Sequence, residues 1–140
     1  MYRILVPIDG SDEALRALEH AIRMARLIGE AEIHLVNVQP PISGSVGTFV
    51  GTENVARFHQ EESDNALVSA RKLLERERLP VHEAVRIGNT SQSIADHARE
   101  LPCDQIVMGT RGLGRIGSIV LGSVATQVVH LTEFPVTLIK

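Results

Sequence analysis

The 140-residue sequence predicts an open five-stranded parallel α/β sheet with helices on both faces. Three observations carry this expectation. Short, continuously apolar runs alternate with longer segments whose apolar positions recur every three or four residues, the order that crossover helices between parallel strands require. Apolar residues make up 44% of the chain and charged ones 22%, so the material for a packed core is present and the composition is far from that of disorder. The length suits a single domain over residues 1–140, one that buries about 68% of the surface an unfolded chain exposes.

Ile4-Leu5-Val6-Pro7-Ile8 reads as the first strand, apolar throughout because both of its faces are covered, and Asp9-Gly10-Ser11 turns the chain after it. Ala14, Leu18, Ala21, Ile22 and Ala25 then mark one face of a helix that runs to about Gly29. Ile33, Leu35, Val36 and Val38 form a second strand, stopped at Gln39-Pro40-Pro41 because proline supplies no ladder donor. Residues 40–52, with Gly44, Gly47 and Gly51 and no hydrophobic period, predict a long loop. Over residues 53–78 the positions Phe58, Ala66, Ala70, Leu73 and Leu74 return to helical spacing and predict the second helix. A third strand spans 81–87, and Gly88-Asn89-Thr90 opens a third helix carrying Ile94, Ala95 and Ala98, with Thr90 as its expected cap. Ile106-Val107-Met108 is the fourth strand; a fourth helix carries Val124, Val128 and Leu131, and the fifth strand occupies 135–139. The expectation is thus five strands and four helices in strict alternation.

In such a sheet a ligand sits outside the carboxyl ends of the strands, where the strand order reverses, which directs attention to the turns after strands one, two and four. The last of these is a glycine-rich stretch over 109–122, holding five of the chain's 11 glycines. Without Cβ atoms the backbone can approach a phosphate closely and aim N–H groups at it, and a helix opening near Gly122-Ser123 adds partial positive charge. The end charge contributes only about 0.3–1 kcal/mol, so N–H bonds and the Ser123 hydroxyl carry most of such binding, with Arg111 and Arg115 adding electrostatic help. Gly112-Leu113-Gly114-Arg115-Ile116-Gly117 fits the dinucleotide fingerprint, but no acidic residue stands at the end of a following strand to take the ribose. The lysine of the GxxxxGK[ST] phosphate loop is also missing. The remaining structural alternative is a tight strand-to-helix connection with no ligand.

The charge of -3 comes from 14 basic and 17 acidic residues that are interspersed, and aromatic residues are 3% of the chain, so neither a basic stripe nor a stacking platform for nucleic acid is expected. Cys103 is the single cysteine, which excludes an internal disulfide and predicts a small buried hydrophobe. No stretch has the length of a signal h-region or membrane span, and a cytoplasmic location is expected.

The spacing Gly109-x-x-Gly112, nine residues, Gly122-Ser123 resembles the G-2x-G-9x-G-[ST] pattern of the ATP-binding subgroup of the universal stress protein family. Ile4 to Ser11 resembles that family's opening strand and acidic turn, Val107 to Gly112 its fourth-strand signature, and Leu121-Gly122-Ser123-Val124 its last helix start. The resemblance implies a Rossmann-like, adenine nucleotide alpha hydrolase-like sheet that holds ATP, with Mg2+ or Mn2+ bridging the phosphates and with dimers formed through the last strand. Carried onto these positions, Asp9 and Val38 face the ribose and adenine, Met108 borders the sugar, Gly109, Gly112, Gly122, Ser123 and Val124 line the phosphates, and Pro7 and Arg111 complete the nucleotide-binding set. Asp9 also has a purely structural reading, capping its own turn.

A binding and regulatory role is favoured over catalysis because no general base is paired with a nucleophile near the glycines. His34 falls in a strand, His20, His59 and His97 on helices, and His130 after the last helix, with no HxGH pair. A slow Mg-dependent ATPase is the alternative. A phosphoacceptor receiver domain needs an Asp ending strand three, where Ile87-Gly88-Asn89 stands instead. The last strand is expected at a sheet edge, its unpaired groups inviting antiparallel pairing with a second copy through residues 135–140, with Thr137 supplying a donor.

Overall fold

A computed structural model describes residues 1–111 and 121–140. Strands β1 (Tyr2–Pro7), β2 (Ala31–Gln39), β3 (Val81–Ile87), β4 (Gln105–Gly109) and β5 (Val136–Ile139) form one sheet in the order β3-β2-β1-β4-β5. Every pairing is parallel. The helices among the described residues are α1 (Asp12–Ile28), α2 (Gly44–Val50), α3 (Thr52–Leu74), α4 (Thr90–Glu100) and α5 (Ser123–Leu131). The expected Rossmann-like sheet is therefore present, with β1 at its centre. Ile4, Leu5 and Val6 of β1 are fully buried, which explains a strand without polar alternation.

The two-residue period of the strands divides the core. Ile4, Val6, Ile33, Leu35 and Val107 face α1 and α3, whose Ala17, Leu18, Ala21, Leu67 and Ala70 complete one cluster. Leu5, Val36, Ile106 and Met108 face α4 and α5, packing with Ile94, Ala98, Ala125 and Val128. Cys103 lies in this second cluster, and burial pushes its thiol up to about 11, as suits the inert hydrophobe expected.

The helices differ from expectation in four places. The stretch read as a loop contains α2, so strict alternation fails between β2 and β3. No residue of α2 is buried and Phe49 is 91% exposed. Hydrophobic period records a buried face, and a helix that buries nothing leaves no such record. In α3 the buried stripe is His59, Ser63, Leu67, Ala70 and Leu74, while Phe58 is exposed. The stripe is helical in spacing but polar in its first half, so apolarity alone placed it one residue off. Thirdly, α4 is capped by Asn89, whose side chain accepts from the Gln92 N–H, and Thr90 is the first helical residue. His130 lies within the last turn of α5 rather than after it. Among the described residues no helix is long and apolar enough to cross a membrane.

Candidate functional site

The strand order reverses between β1 and β4, whose register pairs Ile4 with Gln105 and Leu5 with Ile106. Two residues further along each strand come Pro7 and Met108, so the turns that follow them emerge side by side at the carboxyl edge of the sheet. Val38, near the end of β2, and Met108 both pack on the core of the α4 and α5 face. Gln39, at the end of β2, accepts from the Gly88 N–H through its carbonyl, closing the edge on the β3 side.

The β1 turn is built by local polar contacts. The Ile8 N–H donates to the Val36 carbonyl and extends the sheet by one bond. Asp9 accepts from the Ser11 N–H at 2.9 Å, so one carboxylate oxygen performs the turn-capping role while the residue stays exposed. Gly10 has φ of 88°, and a Cβ there would stand 3.4 Å from the Ala66 Cα of α3. Ser11 then caps α1 by accepting from the Ala14 N–H at 3.2 Å.

The β4 turn is held against α1 and against the start of α5. A Cβ on Gly109 would meet the Glu13 Cβ at 2.9 Å, so glycine is required by the close passage of α1. The Thr110 N–H donates to the Ile139 carbonyl at 2.9 Å, and the Thr110 carbonyl accepts from the Gly122 N–H at 2.6 Å. The last contact places the α5 start directly on the β4 turn. The Gly122 N–H is therefore engaged within the protein, and a Cβ on Gly122 would stand 2.7 Å from the Thr110 oxygen. This glycine is fixed by backbone packing.

Helix α5 opens on Gly122 with no side-chain cap, whereas α1 and α4 are capped by Ser11 and Asn89. Its first N–H groups therefore receive no side-chain acceptor from the cap residue. Ser123 is exposed, and Val124 is half-buried against the α4 and α5 face core. Arg111 is half-buried beside this turn. Gly112 lies outside the described residues, as does Arg115.

Two features were not anticipated from sequence. Asn37 is 1% exposed and donates from Nδ2 to the Ile8 carbonyl at 2.8 Å, while Gln39 donates to Asn37 Oδ1 at 2.7 Å. This buried amide pair ties the ends of β1 and β2 together under the Asp9 turn. Asn37 and Gln39 at the carboxyl end of a strand whose centre is apolar are the available signal. Glu13 is 5% exposed, pairs with Arg16 at 3.6 Å, and lies against Gly109. An acidic residue in a first helical turn reads from sequence as dipole compensation, which hides its closeness to β4.

The family model described as the universal stress protein family matches residues 1–140. The universal stress protein MJ0531 of Methanocaldococcus jannaschii is 33% identical over 99% of this chain and 81% of its own length. A universal stress protein of Thermus aquaticus is 33% identical over 98% of this chain and 97% of its own. Among solved structures, MJ0577 superposes with a TM-score of 0.86 at 28% identity, covering 99% of this chain and 95% of that one. A universal stress protein from Archaeoglobus fulgidus, solved in complex with dAMP, gives 0.72 at 26% identity over 100% and 98%.

Proposed function

The chain belongs to the universal stress protein family, and on that premise we propose that it is an ATP-binding regulatory protein of the subgroup carrying the G-2x-G-9x-G-[ST] pattern. The observation that carries this reading is the junction at the reversal of strand order, where the start of α5, open on Gly122 without a side-chain cap, is bonded to the turn after β4. A helix start of that kind offers N–H donors and partial positive charge to a phosphate. The dAMP bound by the Archaeoglobus relative supports an adenine nucleotide as the ligand.

In this reading Pro7, the free oxygen of Asp9 and the Val38 backbone take the adenosine, and Met108 borders the sugar. The phosphates lie along Gly109, Gly112, Ser123 and Val124, with Arg111 adding charge and Gly122 holding the two turns in contact. Mg2+ or Mn2+ would neutralise charge on the phosphates. The protein works in the cytoplasm as a homodimer paired through β5. A receiver-domain reading is disfavoured by the strand order, since that fold takes the order 2-1-3-4-5.

Mass spectrometry of the small molecules released when the purified protein is denatured tests the reading. ATP or ADP at near-stoichiometric amounts is the expected result. A ligand-free protein that also shows no heat with Mg-ATP in titration calorimetry would overturn it.

A further inference from the structure

At the opposite end of β2 a second group of side chains converges that a nucleotide at the carboxyl edge does not use. Glu32 and His34 are two residues apart on β2 and so share the face covered by α4. His82 is the register partner of His34 on β3, and neighbouring strands about 4.8 Å apart bring such partners into contact. The two rings stack with centroids 4.6 Å apart and planes inclined by 16°. Glu32 reaches both, with Oε1 at 2.9 Å from His34 Nε2 and Oε2 at 3.6 Å from His82 Nε2. One ligand atom from each of the three lies within 4.8 Å of the others.

We propose that Glu32, His34 and His82 form a binding site for one divalent transition-metal ion of the Zn2+ or Co2+ type. Two imidazole nitrogens and a carboxylate are the donor set these ions take, and they leave at least one coordination position for water or a further ligand. That position has room, because His34 and His82 line a groove of about 280 Å³ that is also lined by His97 and Glu100 of α4 and by Leu101 just after it.

The site has one fixed part and one movable part. The side chains of Glu32 and His34 are 16% and 12% exposed, and Arg3 orients the carboxylate by donating from Nε to Oε1 at 3.1 Å and from Nη1 to the Leu101 carbonyl. An outer partner of this kind steadies a metal-ligating carboxylate. The His82 side chain is 57% exposed on the edge strand. Bonds of 2.0–2.1 Å place neighbouring ligand atoms about 3.4 Å apart, and two nearly parallel rings cannot both aim a lone pair at one ion. Binding therefore turns the exposed His82 ring out of the stack and draws it inward. Arg86 of β3 is engaged by Glu100, which lines the groove, at 2.7 Å. Glu32 and Val38 are six positions apart on β2, about 20 Å of strand, so this site neither needs nor blocks a nucleotide.

The test uses the full chain stripped with EDTA and desalted, titrated with Zn2+ in a calorimeter and with Co2+ while visible d–d absorption is recorded. The expected result is one equivalent of bound ion, with His82→Ala and Glu32→Gln each weakening affinity more than roughly tenfold, the scale an outer partner alone carries. His82→Ala removes an exposed side chain, and an unchanged circular dichroism spectrum confirms its fold. Absence of Zn2+ heat and of Co2+ bands in the wild type, or equal affinity in His82→Ala, would overturn the proposal.

Discussion

Ser123 and Gly122 are neighbours in sequence, yet their substitution should read out differently. Ser123 is exposed at the first turn of α5, so Ser123→Ala should leave thermal unfolding unchanged while weakening Mg-ATP binding about tenfold, the loss of one hydrogen bond to a charged group. Titration calorimetry beside a melting curve checks both halves. Gly122→Val cannot serve as the same probe, because its Cβ would stand 2.7 Å from the Thr110 oxygen and disturb the turn itself. This distinction was invisible in the sequence, where both residues belong to one motif. The motif names the glycine; only the contact with Thr110 explains it. His97 gives a second single-residue outcome. Burial, and then the Arg86 charge, holds its imidazole below the ordinary value of 6.5, with Glu100 opposing. The folded chain thus binds fewer protons than the unfolded one as pH falls through that value, so stability present above it declines toward the lower folded value. Urea midpoints measured in EDTA should fall between about pH 7.5 and about pH 5.5, and His97→Gln should fall less. An equal drop in the variant would assign the dependence to other groups.

Elements were legible to the extent that they bury a face. β1, β2 and α1 announce themselves because most of their buried positions are apolar, and β3 is legible despite lying at an edge, since its β-branched ends are bounded by Pro80 and Gly88. α2 leaves no period because it buries nothing, and the first half of α3 is read one residue off because His59 and Ser63 occupy its inner stripe. Strand β5 adds a case where the sequence names the element but not the useful position in it. The Pro135 and Ile139 carbonyls accept from the Ile106 and Thr110 N–H groups. In a strand, alternate residues turn their N–H and C=O groups to opposite sides, so 135, 137 and 139 face β4 while Val136 and Leu138 face the open edge. Thr137→Pro would break the sheet of one protomer rather than a pairing between two, which corrects the expectation for that residue. Leu138→Pro is the appropriate variant: it should convert the proposed dimer to monomer in sedimentation equilibrium with the parallel β-sheet signal kept. An undiminished dimer would locate the interface away from β5.

For the whole molecule, a ligand that binds only the folded chain should raise its stability by about 2.7 kcal/mol at a hundredfold excess over its dissociation constant. Scanning calorimetry with and without Mg-ATP measures this, and an unmoved melting temperature at saturating nucleotide would count against the proposed site. The sheet order that creates the site also sets when it can exist. Central strands β1 and β4 are paired although Ile4 and Gln105 are about 100 residues apart in the chain. The β3-β2-β1 side, with α1 and α3, consists of pairings between consecutive strands and can assemble from the first 87 residues. Joining β4 to it closes a long loop, a step whose entropy must be met before any contact across it is gained. During synthesis, then, the turn after β1 emerges well before the turn after β4, and the proposed nucleotide site is complete only once α5 has been made.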